Sequence, residues 1–363
     1  MILPTADNIH SKGRKAVLSW ALYDLANTIF SMNIVSLHFG LWVVNEMGGS
    51  DAIYGYANVT SMLLVLLTAP MLGTMSDQLG RRIPFLVITT CCCVVLTLLL
   101  GIGGLIPSLV IFVFANYMFQ SGLIFYDALL PTVSTEQNRG KIGSFGVGIG
   151  YFGSLIAVSI GILLVDTIGH IGMFRVSALL FLVWAIPCFI FVKEHRSQQS
   201  SVKFRAILGS FAQLIKTLAR TRKYTGLSRF LFGRIFYADV VNTLIIFMGI
   251  YATNELGFTD TEVQFTMMVA IVSSIIGAFL WGFVVDSIGP KKSLNLVLYL
   301  WVIVLVSIAA VPLLDLARSI MWVSAALAGV AIGGVWCSDR PYLLRLVPPQ
   351  HVGEFFGAYS MVG

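Results

Sequence analysis

The feature that most constrains this chain is a succession of apolar runs, each near 20 residues, separated by short polar stretches. An α-helix rises 1.5 Å per residue, so about 20 apolar residues cross the ~30 Å hydrocarbon core of a bilayer. Ten runs of this kind are read, at 17–45, 52–75, 84–104, 107–131, 142–165, 171–192, 226–253, 262–285, 293–313 and 318–346. An eleventh begins near Glu354 and stops at Gly363. Only 11% of the residues are charged, against about 25% in a soluble domain, too few to cover a water-facing surface. Lipid offers backbone groups no partner, so the runs are predicted to be helices and the fold an all-α polytopic membrane protein. The first run is too long for a signal peptide and is interrupted by Asp24, Asn27 and Asn33, so it is predicted to remain as span one.

Lys and Arg set the orientation. With the N-terminus inside, the inner segments carry Lys12, Arg14, Lys15, Arg81, Arg82, Arg139, Lys141, the basic residues from Lys193 to Arg229, Lys291, Lys292 and Arg345. The outer loops hold only Arg175 and Arg318. The N-terminus is therefore predicted to be cytoplasmic. The net charge of +6 is accounted for by this one-sided distribution, and nucleic acid is not expected as a partner. Residues 193–225 carry Phe204, Ile207, Leu208, Phe211, Leu214, Ile215 and Leu218 at helical spacing among basic residues. That pattern predicts an amphipathic linker on the inner membrane surface, with a docking role as the alternative. The five cysteines lie in apolar runs and are read as packing residues.

The chain also resembles itself at an offset of about 210 residues. Gly73, Asp77, Gly80, Arg81 and Arg82 recur as Gly282, Asp286, Gly289, Lys291 and Lys292. Asp24 and Asn27 recur as Asp239 and Asn242, Asp127 as Asp339, and Ser144-Phe145-Gly146 as Phe355-Phe356-Gly357. Six spans separate the copies, so the repeats run in the same direction. The boundaries predicted are a bundle over 1–192, the linker over 193–225 and a second bundle over 226–363.

The segment Gly73 to Arg82 resembles the loop between spans two and three of the major facilitator superfamily. Asp77 ends its own helix, where the macrodipole disfavours an anion. It should find a partner in Arg81, Arg82 or the N-terminus of a facing helix. Gly80 permits the turn that returns the basic pair. Such a cluster can latch one face of a transporter in one state and break in the other. A narrower resemblance is to the autophagy-related vacuolar amino-acid effluxers and their prokaryotic relatives. It is carried by Trp20-Ala-Leu-Tyr-Asp24-Leu-Ala-Asn27, Phe125-Tyr-Asp127, Arg229 through Asp239, Gly249-Ile-Tyr251, Asp260-Thr-Glu262-Val263 and Pro348 through Gly357.

The resemblance implies two pseudo-symmetric six-helix halves, solute efflux with amino acids as one class, and a plasma membrane in a prokaryote or a vacuolar one in a eukaryote. Family members have twelve spans, so the second half is expected to be incomplete at Gly363. The proline-containing antiporter motif of span five is absent. A monomer in the lipid bilayer is expected, with a small-molecule solute and a proton as partners and no cofactor or metal.

Ionisable groups inside the bilayer cost about 2.5–3.5 kcal/mol each on insertion scales. Asp24, Asp127, Asp239, Asp339 and Arg234 fall in spans one, four, seven and ten, the helices that line the central cavity of this superfamily. Asn116, Gln120 and Asp127 step along one face of span four; Asp24, Asn27, Ser31 and His38 step along span one. With Asn242 these are the substrate and proton candidates. Each has a plain alternative. Asp24 and Asp239 could make a structural hydrogen bond, Arg234 could pair with another helix or hold a substrate carboxylate, and His38 could be a packed polar group or a proton relay.

Gly148-Ile-Gly150-Tyr-Phe-Gly153 matches G-x-G-x-x-G but sits in an apolar helix with no preceding strand, so it is no dinucleotide site. Gly143, Gly146, Gly150, Gly153, Ala157 and Gly161 form instead a small-residue stripe for close helix packing. No Walker, H-E-x-x-H or G-x-S-x-G sequence is present. The expectation is a transporter and not an enzyme, with a non-transporting receptor or assembly partner on the same scaffold as the rival.

Overall fold

A computed structural model describes residues 7–194, 224–314 and 316–362. The predicted linker helix, 193–225, falls almost wholly outside the described residues. Among those residues all regular structure is helical. Helix α1 (Asp7–Phe30) continues through two π-helical stretches, Ser31–His38 and Trp42–Glu46. There follow α2 (Asp51–Leu79), α3 (Ile83–Leu98), α4 (Leu105–Ala128) and α5 (Arg139–Phe191). After the linker come α6 (Leu227–Asn254), α7 (Asp260–Ile288), α8 (Pro290–Leu313), α9 (Ile320–Leu346) and α10 (Val352–Met361).

Seven helices among the described residues are long and apolar enough to cross a membrane: α1 with its continuation, α2, α4, α5, α7, α8 and α9. Helix α5 breaks at Gly169 (φ 66, ψ 178), and its two arms match the predicted runs 142–165 and 171–192. The predicted run 84–104 is helical only to Leu98, because Gly101, Gly103 and Gly104 then turn the chain at positive φ.

Helix ends follow the local sequence. Ser50 caps α2 by accepting from the Ile53 N–H. Thr259 and Glu262 cap α7 reciprocally, a capping box that satisfies two orphan donors. Gly80 ends α2 in the left-handed region (φ 59), as the sequence predicts for the returning turn.

The described residues pack as two units. The first takes the described parts of Met1–Ser134, Phe152–Lys223 and Val347–Met361. Its core is aromatic: Trp20 stacks on Tyr126 at 4.8 Å, Phe39 on Phe112 at 4.3 Å, and Phe30 meets Phe119 and Phe181. These rings fasten α1 to α4 and to the second arm of α5. The later members of the small-residue stripe, Gly153, Ala157 and Gly161, belong to the same unit. A Cβ on Gly153 would lie 2.5 Å from the Leu25 carbonyl oxygen, so glycine lets α5 rest on the α1 backbone.

The second unit takes Thr135–Tyr151 and Tyr224–Leu346, with the terminal Val362–Gly363. Its core joins Val297, Trp301 and Val304 of α8 to Ala331 and Val335 of α9. Helices α7 and α9 approach through glycine: a Cβ on Gly329 would stand 2.1 Å from the Ala270 carbonyl oxygen. Without a hydrophobic drive between helices in lipid, close backbone packing of this kind supplies the attraction.

Candidate functional site

In unit one the Gly73–Arg82 segment ends α2 and returns into α3. Asp77 Oδ1 accepts from the Gly353 N–H at 2.9 Å, and Oδ2 accepts from the Glu354 N–H at 2.8 Å. Those donors belong to the first turn of α10, where N–H groups lack helical partners and the dipole is positive. The anion disfavoured at the end of its own helix is thus held by the start of another. Arg82 adds a bond to Asp77 Oδ1 at 3.0 Å. Gly73 makes the approach sterically feasible, since a Cβ there would fall 2.0 Å from the Gly353 carbonyl oxygen. Arg81, a gating candidate, is exposed and takes no part.

The sequence reading missed Glu194. Its Oε2 accepts from the N–H groups of Arg82 at 2.6 Å and Ile83 at 2.8 Å, capping α3. Its Oε1 is 3.8 Å from the Arg82 guanidinium. Arg82 therefore sits between Asp77 and Glu194. Within the sequence Glu194 is one acid entering a long basic run, and nothing local marks it as a cap for a helix 112 residues away.

The second copy repeats the device in unit two. Asp286 accepts from the N–H groups of Gly140 at 2.7 Å and Lys141 at 3.0 Å, the first turn of α5. Gly282 admits that turn, because a Cβ would meet Ser144 Cβ at 2.8 Å. Lys291 and Lys292 are exposed, and among the described residues neither forms an ion pair with Asp286. Gly289 runs directly into Pro290, the first residue of α8, so no turn remains to bring the lysines back. Guanidinium groups from elsewhere stand nearby instead. Arg139 and Arg345 line a small pocket with Glu136, Asp286, Pro290 and Pro341.

The membrane-embedded candidates separate into environments. Asp24 and Asp127 are buried in unit one, beside the Trp20–Tyr126 stack, and Asn27 is buried one turn beyond Asp24. Asn116 is fully buried and donates to Asn58 Oδ1 at 2.8 Å and Ser61 Oγ at 2.7 Å, so its amide nitrogen ties α4 to α2. Gln120 is half-buried. In unit two Arg234 lies 3.9 Å from Asp339, both buried, and over the Trp336 ring at 5.7 Å. Its partner is thus another helix, as its poor spacing to Asp239 suggests. Asp239 and Asn242 are exposed on α6, unlike their counterparts Asp24 and Asn27. Sequence equivalence did not carry over to burial.

Of Asp24, Asn27, Ser31 and His38, Ser31 alone is only half-buried. From Ser31 the chain is π-helical, with more residues per turn than an α-helix. The buried positions accordingly fall at Ile29 and Phe30, Asn33 and Ile34, His38 and Phe39, Trp42 and Val43. That register carries His38 inward, where its Nδ1 lies 3.1 Å from His170 Nδ1. His170 Nε2 is 3.8 Å from Glu46 Oε1.

The family model described as Major Facilitator Superfamily matches residues 19–363. An uncharacterized MFS-type transporter of Bacillus subtilis, YxiO, is 28% identical, over 95% of this chain and 84% of its own length. Autophagy-related protein 22 of Coccidioides immitis is 22% identical over 61% of this chain and 41% of its own length. Among solved structures, the human organic anion transporter MFSD10 superposes with a TM-score of 0.77 at 14% identity, covering 96% of this chain and 90% of that one.

Proposed function

The chain belongs to the major facilitator superfamily, and from that premise we propose a secondary transporter that moves a small polar solute by alternating access, with proton linkage. It is a membrane transporter by family; solute class and coupling are the proposal. Amino acids are the first class to test, on the strength of the sequence resemblance to the autophagy-related vacuolar amino-acid effluxers.

One observation carries the reading. Two loops at equivalent places in the repeat each use a carboxylate to hold the first turn of a helix from the opposite sequence half. Hydrogen bonds to a charged group are worth about 1.5–3 kcal/mol each. Two such bonds per latch are strong enough to hold a state and weak enough for solute binding to release. Bistable elements of this size support rigid-body rocking of repeats about a midplane site. The proposed rocking bodies are the halves 1–192 and 226–363, joined by 193–225, with the N-terminus and both latches on the cytoplasmic face.

The carboxylates supply the proton chemistry. Asp24 is buried in a helix that lines the transport path of this superfamily and is the first candidate proton carrier. An acid that is neutral when occluded and ionised when wetted carries a proton across with each cycle. Asp239, its counterpart in the repeat, is the second carrier candidate and is exposed on α6. Proteoliposome uptake with Asp24→Asn and Asp239→Asn tests the assignment. Unchanged pH dependence in both variants would remove these residues as carriers.

A further inference from the structure

Outside the carboxylates and the latches, one cluster of titratable groups is organised as a chain. Glu46 is exposed at the end of the π-helical extension of α1, His170 is half-buried at the start of the second arm of α5, and His38 is buried. His170 Nε2 faces Glu46 Oε1 at 3.8 Å, and His170 Nδ1 faces His38 Nδ1 at 3.1 Å. His38 Nε2 is buried, has no hydrogen-bond partner among the described residues, and lies where a Cβ on Gly161 would be 3.2 Å away.

The tautomers follow from these neighbours. A carboxylate favours a proton on the ring nitrogen that faces it. His170 then carries its proton on Nε2 toward Glu46, and its Nδ1 is the acceptor. The Nδ1–Nδ1 bond requires one donor, which must be His38 Nδ1. His38 Nε2 is left as a bare lone pair inside the protein. The ring centroids are 5.2 Å apart, so the pair accommodates one added proton far better than two.

We propose that Glu46, His170 and His38 form a proton path from the exposed end of α1 to its buried face. A proton arriving on His38 Nε2 makes that ring an imidazolium. Its Nδ1 proton passes to His170 Nδ1, and the His170 Nε2 proton leaves to Glu46. No electrons are exchanged, the charge moves outward by one proton, and the reverse sequence brings a proton in. The π-helical register is what makes the path, because it seats His38 on the buried face beside Asn33 and Ile34. The charged residues nearest in sequence to the cluster are Asp51 on α2 and Asp166 and Arg175 on α5, all exposed, with Tyr54 donating to the Val35 carbonyl. Among the described residues no three His, Cys, Asp or Glu side chains converge as a metal site.

The test uses the full chain in lipid nanodiscs with ¹⁵N-labelled histidine and needs no transported solute, so it is independent of the transport reading. His170→Asn and His351→Asn variants assign the signals. On acidification His38 and His170 should take up one added proton between them, with their four ring nitrogens shifting together. After a rapid pH jump, Glu46→Gln should slow that uptake at least about tenfold, since it removes the exposed relay group. Glu46 is at the surface, so this variant leaves the buried pair intact. Independent titration of the two rings, or uptake in Glu46→Gln at the wild-type rate, would overturn the path.

Discussion

Asp77 and Gly353 are 276 residues apart, yet the carboxylate of one accepts the backbone N–H of the other at 2.9 Å. The contact needs two glycines, because neither Gly73 nor Gly353 has room for a methyl group. A Cβ on Gly353 would lie 2.5 Å from the Gly73 carbonyl oxygen. Charge, helix dipole and backbone sterics therefore all converge on one point of unit one.

Removing the charge while keeping the shape tests the first of these. Asp77→Asn should lower stability by about 2–3 kcal/mol, since two charge-assisted bonds become neutral ones and one amide nitrogen faces donors. Thermal unfolding in detergent reads the loss. Hydrogen exchange should rise selectively in 352–361.

Gly73→Ala should be worse than Asp77→Asn, because the added methyl overlaps backbone and not a side chain that can swing away. Gly233→Ala is the control. Nothing lies within 4 Å of its Cβ position, so replacing a mid-helix glycine there should be neutral or stabilise by up to about 1 kcal/mol. Equal effects of the two substitutions would contradict the packing described.

Glu194→Gln should free the first turn of α3 and release Arg82 from one of its two carboxylates. The expected loss is about 1–2 kcal/mol. Restored stability in an Arg82→Gln, Glu194→Gln double variant would assign the effect to the Arg82 pairing and not to the cap.

Arg234→Met should cost about 3–5 kcal/mol by removing a cation that lies 3.9 Å from the buried Asp339. The Arg234→Met, Asp339→Leu double variant should recover much of that loss, since a buried pair replaced by apolar groups is often near neutral. A double variant as unstable as the sum of the singles would rule out coupling between the two.

Much of this was legible in the sequence because lipid narrows the choices. Apolar length fixed where helices run, and the Gly73–Asp77–Gly80 repeat marked both latch loops before any contact was known. The choice among Arg81, Arg82 and a helix N-terminus for Asp77 was not legible, since it depends on α10 arriving from the far end of the chain. The π-helical register of 31–46 left no signal either. An α-helical count places Ser31 on the His38 face, and only the buried pairs at 33–34, 38–39 and 42–43 expose the wider turn. The exposure of Asp239 and the exposure of Lys291 and Lys292 were hidden for a similar reason: a repeat in sequence copies residue type, and packing decides what each copy touches.

The most direct measurement is uptake of a mixed pool of amino acids, sugars and organic anions into proteoliposomes, read by mass spectrometry with and without a proton gradient. The account predicts selective accumulation that the gradient enhances, falling about tenfold or more when Asp77→Asn and Asp286→Asn are combined. Accumulation no greater than in empty liposomes, or full activity with both carboxylates neutralised, would contradict it.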